Sequence, residues 1–191
     1  SVFAVERSID SQRATAIHEI GHALFLAAAE NLDGNFYIEI DRINKGQSTL
    51  GRLRFDKEIP PSARNLLWRS QVSMGGYHAA KLILGEDCPV AGIEGDQSEF
   101  YEAAILCIAD DFSSSYIPKT NTYAEVEHNR KLVSEFSARQ AEIVDRFLLE
   151  NKDLIIEMSE VLLENGRLEK PEIMPYLERV VLTEGVERAK F

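Results

Sequence analysis

The stretch Thr15-Ala16-Ile17-His18-Glu19-Ile20-Gly21-His22-Ala23-Leu24 carries His-Glu-x-x-His among apolar residues at helical spacing. On a helix, positions four apart lie one turn above each other, so His18 and His22 bring their imidazoles to one place. That is the geometry a zinc ion needs. Glu19, about 100° round the helix from His18, is placed to take a proton from a water at the metal's open position. The plainer alternative is a helix whose two histidines are satisfied in the core. A metal site needs a third ligand from elsewhere.

Working outward, Ser8 or Asp10 is available as the N-cap of a helix running to about Glu30, with Ile17, Leu24, Phe25 and the alanines on its apolar side. Gly21 costs about 1 kcal/mol in a helix interior, which predicts that another backbone or helix approaches there. Asn31 to Asn35 ends the helix. Residues 36–40 and 49–55 are rich in β-favouring types on either side of Asn44-Lys45-Gly46, and the second sets Leu53 and Phe55 against Arg52 and Arg54, so they read as a hairpin. Such a sheet has an edge that either takes an extended peptide or simply covers the core.

Pro60-Pro61-Ser62 starts a further helix, proline being tolerated in a first turn. It carries Leu66, Leu67, Trp68, Val72 and Met74, then passes through Gly75-Gly76 to Leu84. The glycine pair marks a kink or a tight contact, and with Gly21 the expectation is a contact with the histidine helix. Residues 85–95 read as a loop. Asp96 and Glu99 then have capping-box spacing, which makes Asp96 an N-cap of the run 100–112, and a carboxylate at a helix start can also ligate a metal. Residues 110–121 read as a polar loop, 122–165 as helical almost throughout, Asn165-Gly166 as its stop, and 170–182 as a last short helix after Pro171.

The 191 residues fit one domain, 1–191, with a metal-site part and small sheet in 1–112 and a helical part in 122–182. Hydrophobic content of 45% and charged content of 28% are ordinary for a globular chain. The 32 acidic and 21 basic residues give a net charge of -11, which repels phosphate and anionic lipid, so nucleic-acid and membrane-surface roles are not expected. Two cysteines, Cys88 and Cys107, fit a reducing, cytoplasmic setting. No apolar run approaches the roughly 20 residues that cross a bilayer, Ser1 to Ile9 lacks a signal-peptide pattern, and no phosphate-binding-loop motif is present.

For the third ligand the composition offers His78, His128, Cys88 and many carboxylates. The metzincin histidine is absent, since position 28 is alanine.

Three motifs narrow the choice by resemblance. His18-Glu19-Ile20-Gly21-His22-Ala23-Leu24, then Met74-Gly75-Gly76-Tyr77-His78-Ala79-Ala80-Lys81-Leu82-Ile83-Leu84-Gly85-Glu86, then Gly92-Ile93-Glu94-Gly95-Asp96 resemble, in order and interval, the peptidase domain of FtsH, the ATP-dependent zinc protease. The family has a HEAGHAL helix, a Leu-Gly-Gly-Arg-x-Ala-Glu-Glu helix and a Gly-Ala-x-x-Asp helix start. The resemblance implies a mainly α fold with a small β-sheet (α+β), an FtsH peptidase-like helical zincin with a C-terminal helical bundle. It implies Zn2+ held by His18, His22 and Asp96, Glu19 as general base, and a substrate laid along the strand near 50–54.

The departures are Tyr77 for the family's arginine and Ala80-Lys81 for its paired glutamates. With no motor motif in this sequence, the expected activity is an ATP-independent zinc metalloendopeptidase acting on unfolded polypeptides or peptides. A separate ATPase and a homo-oligomer are the partners this leaves open. The rival expectation is a non-catalytic zinc-binding adaptor that binds peptide or a partner ATPase.

Overall fold

The computed structural model describes residues 5–44, 51–56, 60–89, 93–110 and 115–191. In chain order the strands are β1 (Val5–Glu6), β2 (Ala29–Glu30), β3 (Phe36–Ile40), β4 (Ile43–Asn44), β5 (Gly51–Phe55), β6 (Arg167–Glu169) and β7 (Ala189–Lys190). The helices are α1 (Ile9–Ala23), α2 (Ala63–Leu84), α3 (Glu94–Ala109), α4 (Tyr123–Glu150), α5 (Lys152–Asn165) and α6 (Lys170–Leu177). The fold is mainly α with a small sheet.

Helix α1 starts where Ser8 Oγ accepts the Ser11 N–H at 3.2 Å, so Ser8 rather than Asp10 is the cap. It does not continue to Glu30. After Ala23 the chain tightens into a 3-10 segment, Leu24–Ala28, then extends as β2. Alanine propensity is overridden by long-range pairing: β2 runs parallel to β7, and the Phe191 N–H donates to the Glu30 carbonyl at 3.2 Å.

The hairpin expectation holds for β3 and β5, which pair antiparallel with Ile38 opposite Leu53. Lys45 to Leu50, including the expected turn residues Lys45 and Gly46, lies outside the described residues. Strand β6, unmarked by any sequence pattern, pairs with the other side of β3, giving the order β5-β3-β6. Among the described residues β5 is therefore an edge. Phe36, Ile38 and Ile40 face the core in strict alternation with Tyr37 and Glu39.

Helix α2 is capped by Ser62, whose Oγ accepts the Asn65 N–H at 3.2 Å. Pro60 and Pro61 thus precede the cap and do not form its first turn. The expected contact with α1 is present as backbone against backbone. A Cβ on Gly75 would lie 2.6 Å from the Gly21 carbonyl oxygen, and one on Gly21 would run into the Gly75 carbonyl. Any side chain at either position would push the two helices apart.

The long helical stretch breaks once, at Asn151. Its side-chain amide donates to the Phe147 and Val181 carbonyls at 2.8 and 2.9 Å, and its Oδ1 accepts the Val181 N–H at 2.8 Å. Helix α6 stops at Leu177, short of 182, and the remaining tail is strapped down by buried amides. Gln71 donates to the Gly185 carbonyl and accepts from the Glu187 N–H, while Asn65 bonds both backbone groups of Lys190. Phe191 then packs edge-on against Trp68 and beside Phe55.

Ile20, Leu24 and Phe25 share one core with Val144, Phe147, Ile155, Met158 and Leu162. The described part of the 110–121 loop is tied to α4: Ile117 exchanges two hydrogen bonds with the Asn129 side chain. Among the described residues no helix is long and apolar enough to cross a membrane.

Candidate metal centre

His18 and His22 project from successive turns of α1 with their Nε2 atoms 3.0 Å apart and their rings edge to face, centroids 4.6 Å apart. Asp96 reaches the same point from α3. Its Oδ2 lies 2.9 Å from His18 Nε2 and 3.3 Å from His22 Nε2. Four-coordinate zinc with bonds of about 2.0–2.1 Å needs ligand atoms roughly 3.3 Å apart. The three atoms already stand close to one face of that tetrahedron.

Asp96 is not an N-cap. Helix α3 begins at Glu94, its cap position is Ile93 with no side-chain bond, and Asp96 is the third helical residue. The cap lies three residues earlier than the Asp96–Glu99 spacing predicts. Among the described residues Asp96 Oδ2 is buried with no hydrogen-bond partner of good geometry, only the two ring nitrogens at 2.9 and 3.3 Å. A buried acceptor left in that condition is costly, and a cation would relieve it.

The surroundings hold the imidazoles in place. His22 Nδ1 donates to the Val72 carbonyl at 2.6 Å, which fixes the ring and leaves Nε2 as the nitrogen that can ligate once its proton is displaced. Beneath both rings lies Gly76: a Cβ there would be 2.7 Å from His18 Nε2 and would collide with His22 Nε2. The two glycines of α2 therefore have separate tasks. Gly75 admits α1, and Gly76 admits the imidazoles. Only the first was readable in the sequence, and a backbone partner such as Val72 leaves no sequence signal at all.

Glu19 is buried against β5, where a Cβ on Gly51 would lie 2.7 Å from its Oε1. Burial pushes its carboxyl up to about 7, with His22 and Arg52 pulling it down and Asp96 adding to the rise. A carboxyl near neutrality beside a candidate metal position suits proton transfer. At His22, burial favours the neutral ring, but the neighbouring Asp96 carboxylate, Glu19 and the Val72 carbonyl outweigh it and raise the imidazole to about 9. His18 is lowered, chiefly by burial. Asp96 is held well below the carboxylate range, because the two ring nitrogens outweigh its burial.

Among the described residues, His18, His22 and Asp96 form the group able to share one ion. His78 points elsewhere, its Nδ1 2.6 Å from Asp145 Oδ1 on α4. His128 bonds Ser115 at 2.8 Å. Cys88, half-buried beyond α2, lies outside the group, and both cysteines are free.

With the geometry in place, comparison with known proteins gives one partial likeness. Over 100 residues the chain is 39% identical to the ATP-dependent zinc metalloprotease FTSH 11, chloroplastic/mitochondrial, of Arabidopsis thaliana. The likeness covers 51% of this chain and 12% of that protein. No family model matches the chain. A region related to part of an FtsH protease is what the comparison supports.

Proposed function

We propose that this chain is a zinc-dependent endopeptidase domain that hydrolyses peptide bonds in unfolded or flexible polypeptides. The observation that carries the reading is the triangle of His18 Nε2, His22 Nε2 and Asp96 Oδ2, with sides of 2.9–3.3 Å and the buried Glu19 beside it. His18, His22 and Asp96 would hold zinc. When bound, zinc supplies Lewis acidity that polarises a carbonyl and makes a water acidic enough to attack near neutral pH. Three protein ligands leave a position open, whereas a purely structural zinc is normally closed by four.

In this reading Glu19 takes the proton of the attacking water and passes it to the leaving amine nitrogen, which balances hydrolysis without a further acid. β5, an edge strand whose Gly51 touches Glu19, supplies unpaired backbone groups along which an extended peptide can lie. A folded substrate cannot present such a strand, so delivery by a separate ATPase and assembly into a ring of copies belong to the same proposal, as does a reducing, cytoplasmic setting for the two free cysteines.

The test is cleavage of casein by the zinc-loaded chain and by Glu19→Gln. Zinc kept and cleavage lost in the variant supports the reading. Zinc bound with no cleavage by the native chain, alone or with an ATPase, overturns it in favour of an adaptor.

A further inference from the structure

The register of the three-stranded sheet sets two rows of side chains on its outer face. Arg52, Glu39 and Arg167 make one row, and Arg54, Tyr37 and Glu169 the other. The cations of the first row are answered within the sheet. Arg52 lies 2.6 Å from Glu39 Oε1 and 3.2 Å from Asp41 Oδ2, and Arg167 lies 3.1 Å from Glu39 Oε2 and 2.6 Å from Glu169 Oε1.

Arg54 is placed differently. Its neighbour on β3 is Tyr37, which brings no negative charge and whose ring face is already taken by the Arg167 guanidinium at 3.6 Å. Among the described residues the exposed Arg54 has no carboxylate partner. The side of Arg54 away from Tyr37 is the edge of β5.

A strand added at that edge would continue both rows. Gly51, which touches Glu19, faces the core with Leu53, whereas Arg52 and Arg54 face outward. The peptide residue opposite Arg54 is then three residues, about 10 Å, from the one opposite Gly51. A peptide residue beside Arg52 meets a cation already held by two carboxylates. One beside Arg54 meets a free one.

We infer that the edge of β5 selects extended peptides carrying an acidic side chain opposite Arg54, three residues to one side of the residue that lies beside Glu19. The placing of a peptide on β5 rests on the endopeptidase reading, but the selection can be measured without turnover. The net charge of -11 opposes acidic peptides in general, so the preference is positional: a glutamate opposite Arg54 strengthens binding and one elsewhere weakens it.

Short, unstructured fluorescent peptides, each with a single glutamate moved along an otherwise neutral sequence, are titrated by anisotropy into the zinc-loaded chain carrying Glu19→Gln, so that binding is read without cutting. One position is expected to bind about threefold more tightly than its glutamine counterpart, the size of an opposite-charge pair across two strands, and to lose that gain at about 1 M salt. Adding Arg54→Ala removes the gain. Adding Arg54→Glu transfers it to lysine at the same position, which an arginine with a merely structural role would not do. Both substitutions fall on an exposed side chain, where the fold tolerates them. Absence of a preferred position, a preference untouched by Arg54→Glu, or no peptide bound overturns the inference.

Cleavage of the same peptides by the native chain separates the two readings. Fastest cleavage with the glutamate about three residues from the cut bond supports both. Cleavage with equal binding at every position overturns the acidic preference and leaves the peptidase standing. Selective binding with no peptide cleaved supports the preference and overturns the peptidase.

Discussion

Gly76 lies so close under His22 that a single added methyl would collide with the imidazole Nε2. Gly76→Ala is therefore expected to lower zinc affinity by at least the 10–100-fold typical of groups that support a metal site, with helicity retained. Competition with a chelator, read beside circular dichroism, checks it. Gly75→Ala strikes backbone instead and should cost about 1–3 kcal/mol of stability by overpacking, seen in urea denaturation. Equal zinc affinity in Gly76→Ala and the native chain would show that the imidazoles are not held as described.

Asp96 and Glu19 should separate cleanly. Asp96→Ala removes a ligand, and metal stoichiometry should fall well below one per chain. Glu19→Gln should keep its zinc and lose about 10²–10⁴-fold in turnover, the usual contribution of general acid–base catalysis. Full zinc in Asp96→Ala refutes the ligand assignment.

Zinc binding should release about one proton at pH 8. Before the metal arrives, His22, raised to about 9, is largely protonated, whereas Asp96 and His18 are shifted down and carry no proton to lose. Glu19, at about 7, is already mostly ionised. The sign follows: affinity climbs by about tenfold per pH unit below 9 for that proton and levels off above it. Calorimetry in buffers of different ionisation enthalpy counts the proton, and a count of zero at pH 8 would contradict the Asp96–His22 pairing.

Asn151 joins the break between α4 and α5 to the tail through two hydrogen bonds with Val181, makes a third to Phe147 within α4, and is only 4% exposed. Asn151→Ala leaves buried backbone groups unpaired and is expected to destabilise by about 2–3 kcal/mol. Urea denaturation should show the drop with an unchanged slope. A loss below about 0.5 kcal/mol would mean the tail is held by other contacts.

What the sequence disclosed is what travels along a single helix or strand. His18 and His22 are legible because four residues make one turn, Gly21 because a glycine there has to have a reason, and β3 and β5 because they alternate. Asp96 came from the resemblance, and the spacing reading of it as a cap was wrong, since Glu94 had already begun the helix. The rest is non-local. β6 is three residues made into a strand by β3, the 3-10 turn after Ala23 is imposed by pairing with β7, and His78 finds Asp145 only across the α2–α4 interface.

The tail strapped by Asn65, Gln71 and Asn151 ends with Phe191 against Phe55, the last residue of the edge strand, and with β7 alongside the exit of the histidine helix. Both sides of the site are thus braced by residues that never come near an imidazole. A substitution anywhere in 181–191 can loosen the strand carrying Gly51 and the helix carrying His22 together, so metal loss from such a variant would report a slackened frame and not a missing ligand.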